Sequence, residues 1–179
     1  MSHSTDPAPG ELDMSQSAQL VVRLADYACD KDGAAIVKLL DAYARESAGG
    51  GMPLSPYAVE HVVRELAKRP QAFSVLAWCG MEPIGLVNCI EGFSTFACAP
   101  LVNVHDVTVI ASHRGVGIAR LMLLEVEREA KNRGACKLTL EVLSGNVPAR
   151  QLYERAGFVD YQLDPEWGNA CFMQKWLKV

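Results

Sequence analysis

Ten residues, HRGVGIARLM from His113 to Met122, carry the strongest chemical signal in the sequence. Arg114, Gly115 and Gly117 stand where a strand-like run gives way to residues with helical spacing, so the glycines lead into a helix N-terminus. A helix start presents unpaired N–H donors and about half a positive charge, and glycine lets the backbone come close to a ligand. The chemistry that follows is the holding of an anion, a phosphate above all. Two other phosphate cradles fail on residue type. No Lys-Ser or Lys-Thr follows the glycines, as GxxxxGK[ST] requires, and Arg120 stands where GxGxxG needs its third glycine. A turn that needs glycine geometry and holds nothing is the plain alternative.

The elements that position this turn can be read from periodicity. QLVVRL, from Gln19 to Leu24, is a first strand. Ala35, Ile36, Leu39, Leu40 and Tyr43 recur at helical spacing between Asp30 and Glu46, and after the Gly49–Gly51 break a second helix opens at Ser55–Pro56 and stops before Pro70. FSVLAWC from Phe73, IGLVNCIEGF from Ile84 and LVNVHDVTVI from Leu101 predict three sequential strands, an antiparallel meander. A long helix on Ile118, Leu121, Met122, Val126 and Ala130 closes at Arg133–Gly134. Cys136 to Leu143 predicts a fifth strand, Asn146 caps a shorter helix ending at Gly157, and Phe158 to Gln162 and Ala170 to Leu177 predict two last strands. The order β-α-α-β-β-β-α-β-α-β-β predicts one mixed α/β domain over 19–179, with helices on both faces of a twisted, mostly antiparallel sheet. Residues 1–18, rich in Ser, Asp, Pro and Gly, read as a loose tail.

Composition bounds the function. The chain has 179 residues, 50% hydrophobic and 21% charged, which suits one domain with a sizeable core. A net charge of −4 argues against a broad nucleic-acid surface, and no apolar run approaches the roughly 18 residues of a membrane span. The polar opening lacks a hydrophobic signal core, so the cytoplasm is the expected location. The six cysteines form no CxxC pair, so neither a zinc site nor a disulfide framework is expected.

Arg114-Gly115-Val116-Gly117-Ile118-Ala119 resembles the R/Q-x-x-G-x-G/A pyrophosphate loop of the GCN5-related N-acetyltransferase (GNAT) superfamily, and VHDVTVI, ARLMLLEVEREAKNRGA, KLTLEVL and ARQLYERAGF follow that family's order and spacing. The resemblance spans roughly 19–177, with Ala119 in place of the last glycine. It implies an acetyl-CoA-dependent N-acetyltransferase, with no metal, that transfers an acetyl group to a primary amine in a ternary complex. It also implies a sheet splayed between the fourth and fifth strands, where the pantetheine arm lies. Backbone at Val107, Thr108 and Val109 would pair with that arm, and the amides from Arg114 to Ala119 would hold the pyrophosphate, with Arg114 adding charge-assisted bonds. Asn146 would sit beside the arm, an amide near Val109 would face the thioester oxygen, and Tyr153 would protonate the leaving thiolate and contact the cofactor.

An amine of pKa near 10.4 must also lose a proton, and His105, Asp106 and Glu141 are the candidate bases. Strict alternation puts Asn103, His105 and Val107 on one strand face and Asp106 and Thr108 on the other, which favours His105; a β-bulge in this strand would turn Asp106 inward instead. A small-molecule or peptide amine is the expected partner, entering past Gly49–Ser55 and the Gly92–Pro100 turn over Phe93, Phe96 and Tyr57. A second copy of the chain is a candidate partner as well. The competing function is a catalytically silent acyl-CoA-binding sensor, which would keep the glycine turn and have no need of Tyr153.

Overall fold

The computed structural model describes residues 19–162, 164, 166, 168 and 170–177. Residues 1–18, assigned above to a tail, lie outside the described residues. The elements are β1 (Leu20–Leu24), α1 (Asp30–Ala44), α2 (Pro56–Ala67), β2 (Ala72–Cys79), β3 (Glu82–Ser94), β4 (Ala99–Val109), α3 (Ile118–Asn132), β5 (Leu138–Leu140) and α4 (Val147–Arg155). Short 3₁₀ turns at Ser47–Gly49 and Ala111–His113 join α1 to α2 and β4 to α3. The five strands lie in chain order in one sheet; β1 to β4 are antiparallel neighbours and β5 runs parallel to β4. The mixed α/β architecture is therefore the one expected.

Helices cover both faces because the central strands are apolar on both. On one face Val75, Ala77, Val87, Cys89, Val102 and Val104 pack against Ile118, Met122, Val126 and Ala130 of α3. On the other, Leu76, Trp78 and Leu86 pack against Ala35, Ile36 and Leu39 of α1. The helix ends follow local rules. Ser55 Oγ accepts from the Ala58 N–H with Pro56 in the first turn, and Asn146 Oδ1 accepts from the Ala149 N–H at 3.3 Å. The β1–α1 corner is pinned by Asp32, fully buried, whose carboxylate takes Arg23 in a fork at 2.6 and 2.7 Å and the Asp26 N–H at 2.9 Å.

Two expectations are corrected. The fifth strand's backbone bonds to β4 begin at Cys136 as expected, but its ladder runs over Leu138–Leu140 and does not reach Leu143. Among the described residues, neither 158–162 nor 170–177 forms a strand, and Val159, Phe172, Met173, Trp176 and Leu177 are exposed. One backbone bond, Ala170 N–H to the Tyr161 carbonyl at 3.2 Å, joins the two segments. β-propensity alone does not make a strand; it needs a partner ladder and a buried face, and among the described residues these two segments have neither.

Candidate active site

The sheet opens at β4. β5 pairs with Val102, Asn103 and Val104 and then ends, so the β5-facing edge of β4 from His105 to Val109 has no strand partner among the described residues. This is the expected splay, and Val107, Thr108 and Val109 lie along it.

The same point carries a bulge. Opposite β3, Val104 pairs with Cys89 and Asp106 with Asn88, so His105 is an extra residue. Val102 and Val104 pack on the α3 side, and after the bulge Val107 and Val109 do so again. Strict alternation is therefore overturned: Val107 shares its face with Val104 and not with Asn103. His105 is exposed and makes no hydrogen bond or ion pair among the described residues, whereas Asp106 is half-buried and its Oδ2 accepts from Asn88 Nδ2 at 3.0 Å. Glu141, just beyond β5, is exposed and accepts from Asn103 Nδ2 at 3.1 and 3.2 Å.

β4 ends in the glycine turn. Gly115 and Gly117 have φ of +80° and +90°, left-handed conformations that favour glycine, and an added Cβ at either would meet no atom within 4 Å. The turn is therefore open on the side where a Cβ would project. The opening hydrogen bond of α3 runs from the Leu121 N–H to the Gly117 carbonyl, and no backbone carbonyl among the described residues accepts from the amides of residues 115–120. Gly115, Val116, Gly117, Ile118 and Ala119 thus present the free donors expected of an anion cradle. Arg114 has partners of its own. Its Nε donates to the Val109 carbonyl at 2.7 Å and its Nη2 pairs with Glu46, so its guanidinium ties the end of β4 to the α1–α2 loop.

Tyr153, on α4, packs against the α3-side core and meets Phe158 edge-on, with ring centroids 5.9 Å apart. Burial, and to a smaller degree Tyr43, pushes its phenol up to about 12. Its hydroxyl has no hydrogen-bond partner among the described residues. Tyr43, from α1, is the link to β4: burial first, then the negative charges of Asp106 and Glu46, raise its phenol. Tyr43 therefore lies within electrostatic reach of both Asp106 and Tyr153. Tyr43 was legible in the sequence as part of α1's apolar face, and nothing in its spacing marked it for the site. By contrast Phe93, Phe96 and Tyr57 are exposed, and Tyr57 stacks on His61. Asn146 keeps its cap with Oδ1, which leaves its Nδ2 as a donor.

Among the described residues, no helix is long and apolar enough to cross a membrane, and no cluster of His, Cys, Asp or Glu could hold a metal ion.

Residues 33–158 match the model of the acetyltransferase (GNAT) family. The chain is 40% identical over 63 residues to a streptothricin acetyltransferase of Streptomyces lavendulae, covering 35% of this chain and 33% of that protein. It is 30% identical over 95 residues to a streptothricin acetyltransferase of Escherichia coli, covering 49% and 53%. These matches span a third to a half of the curated relatives. The fold matches the crystal structure of a ribosomal-protein-alanine N-acetyltransferase from Brucella melitensis biovar Abortus 2308 with a TM-score of 0.70 at 19% identity, over 88% of this chain and all (100%) of that one.

Proposed function

Because the chain belongs to the acetyltransferase (GNAT) family, we propose that it transfers the acetyl group of acetyl-CoA to a primary amine by direct attack while both are bound. The observation that carries this reading is the continuity of the open β4 edge with a glycine turn whose amides are unpaired. A long ligand with an amide-bearing arm and a pyrophosphate at its far end fits both. The edge from His105 to Val109 would take the arm as a strand takes a partner, and the amides of Gly115 to Ala119 would take the pyrophosphate. Acetyl-CoA supplies an acetyl group activated as a thioester.

The chain's own groups then divide the proton work. Tyr153, neutral at physiological pH, is the donor to the leaving sulfur. Asp106, rather than His105, takes the proton of the acceptor ammonium, since the bulge turns Asp106 into the polar chemistry of the sheet and leaves His105 exposed. A backbone amide near Val109 faces the thioester oxygen. Asp106 and Glu141 make the acceptor side acidic, which favours a cationic small-molecule amine; two relatives are named for streptothricin, and an acceptor of that charge class suits this chain.

The test is direct. Purified protein is mixed with acetyl-CoA and a panel of cationic antibiotics, polyamines, amino acids and peptides, and released thiol and acetylated product are measured together. Acetyl-CoA should raise the melting temperature and at least one amine should be acetylated. Binding without turnover on every amine would favour the sensor reading.

A further inference from the structure

Two polar residues interrupt otherwise apolar strands: Ser74 in AFSVLAWC and Asn88 in the GLVNCI stretch of β3. Both are buried, at 1% and 4% exposure. The register lines them up across the sheet, Ser74 opposite Asn88 and Asn88 opposite Asp106. Their side chains are joined. Tyr27 Oη lies 2.9 Å from Ser74 Oγ, Ser74 Oγ lies 2.6 Å from Asn88 Oδ1, and Asn88 Nδ2 lies 3.0 Å from Asp106 Oδ2. One unbroken path runs from the β1–α1 corner to the bulge.

The direction of every bond follows from its last member. An ionised carboxylate can only accept, so Asn88 must turn its amide N–H toward Asp106 and its carbonyl toward Ser74. Ser74 must then donate its single proton to Asn88, and Tyr27 must donate to Ser74. Each donor polarises the next, so the four side chains form one oriented path with a single direction. It fixes Oδ2 of Asp106 and leaves Oδ1 with no partner among the described residues.

Stability alone does not call for such a path. Replacing both partners of a buried hydrogen bond with apolar groups of the same shape is often close to neutral, whereas cutting one end strands a buried polar group at about 1–3 kcal/mol. Carrying polar groups across three strands is accounted for by what they deliver to the bulge. We infer that Asn88 is a positioning residue, with Ser74 and Tyr27 behind it, that holds Asp106 as an oriented carboxylate whose free oxygen receives the proton of the acceptor ammonium. In this step an N–H bond of the ammonium breaks and an O–H bond forms on Asp106, and the freed lone pair attacks the thioester carbonyl. The inference rests on the acetyltransferase reading above.

The experiment is a double-mutant cycle in steady-state kinetics on the full chain, with acetyl-CoA and an amine that the wild type acetylates. Asn88→Leu cuts the path beside Asp106. Ser74→Ala combined with Asn88→Leu removes both buried polar groups of β2 and β3 together, and its fold is checked by circular dichroism and thermal melting. Tyr27→Phe removes only the outermost hydroxyl. The first two should lower kcat about tenfold or more, a part of the roughly 10²–10⁴-fold that a positioned base supplies, with the KM for acetyl-CoA within about twofold of wild type. In an Asp106→Asn background the same substitutions should cost less than about twofold, because the group they act through is gone. Equal losses in the two backgrounds, or no loss in the soluble double variant, would overturn the role of the path. A wild type that acetylates no amine overturns the activity reading itself and this inference with it; a wild type that turns over while the losses add overturns the path alone.

Discussion

Tyr153→Phe removes one oxygen and separates three consequences that the structure makes quantitative. Burial and the neighbouring Tyr43 push the Tyr153 phenol up to about 12. Against about 10 for a free tyrosine, at 1.36 kcal/mol per unit, the folded site favours the neutral phenol by about 3 kcal/mol. The sign is fixed by linkage. The contribution is fully present below the unfolded value near 10 and is lost as pH rises toward 12, because the unfolded chain releases its proton first. At pH 11 the wild type should have lost about 1.4 kcal/mol relative to the Phe variant, a difference of roughly 3–6 °C in melting temperature for a domain of this size. Tyr27, whose phenol burial also raises, titrates in both proteins and cancels, and a Tyr43→Phe background removes the titration of Tyr43, which is coupled to Tyr153. In catalysis the same shift works against the acid. A phenol near 12 protonates a thiolate of ordinary pKa near 8.5 uphill by about 5 kcal/mol. The transfer comes into balance only if the leaving sulfur is desolvated too, as burial raises the thiol of Cys89 on the neighbouring strand. The variant should therefore keep its affinity for acetyl-CoA while kcat falls by about 10²–10⁴-fold. Melting curves from pH 9 to 11 and single-turnover kinetics check the two halves. A wild-type-minus-Phe difference that stays flat over that pH range would refute the buried phenol, and an unchanged chemical step would refute its role as acid.

Gly117→Asn places a side chain in the open face of the turn with a residue that tolerates positive φ, so stability, read from melting curves, should fall by no more than about 1–2 kcal/mol while CoA affinity, read by calorimetry, drops at least about tenfold. Arg114→Gln should weaken CoA binding only a few fold, since Arg114 is engaged by Glu46 and the Val109 carbonyl and the amides hold the pyrophosphate; a loss as large as that of Gly117→Asn would return the guanidinium to the cradle. His105→Ala should leave kcat/KM within about threefold, against the roughly 10²–10⁴-fold loss expected of Asp106→Asn, and the reverse order would restore the histidine as base. Asp32→Ala removes a buried acceptor from the Asp26 N–H and from a half-exposed Arg23, and should cost about 1–3 kcal/mol, seen as a lowered urea midpoint. Hydrogen bonding from Arg23 holds the Asp32 carboxyl below its usual range, so this stabilisation is present above about pH 4 and is lost as pH falls through the lowered folded value; the Ala variant should lack that acid-side loss.

The sequence by itself determined what depends on neighbours along the chain. Helical spacing fixed α1, α2, α3 and α4, Ser55 and Asn146 announced their caps, and three apolar runs announced β2, β3 and β4. The glycine turn was legible for the same reason: positive φ at Gly115 and Gly117 and free amides at a helix start are local properties of HRGVGIA. Pairing across the chain was decided by the tertiary structure. The bulge at His105 is a mismatch of one residue between β4 and β3, and no reading of β4 alone could choose between His105 and Asp106. The engagement of Arg114 depends on Glu46, 68 positions earlier in the chain. The path through Tyr27, Ser74 and Asn88 had a sequence signal in the lone polar residues of two apolar strands, but its direction and its end at Asp106 needed the register of three strands. The same dependence undid the last two strands, because 158–162 and 170–177 have strand-like composition while a ladder is a property of two segments held side by side.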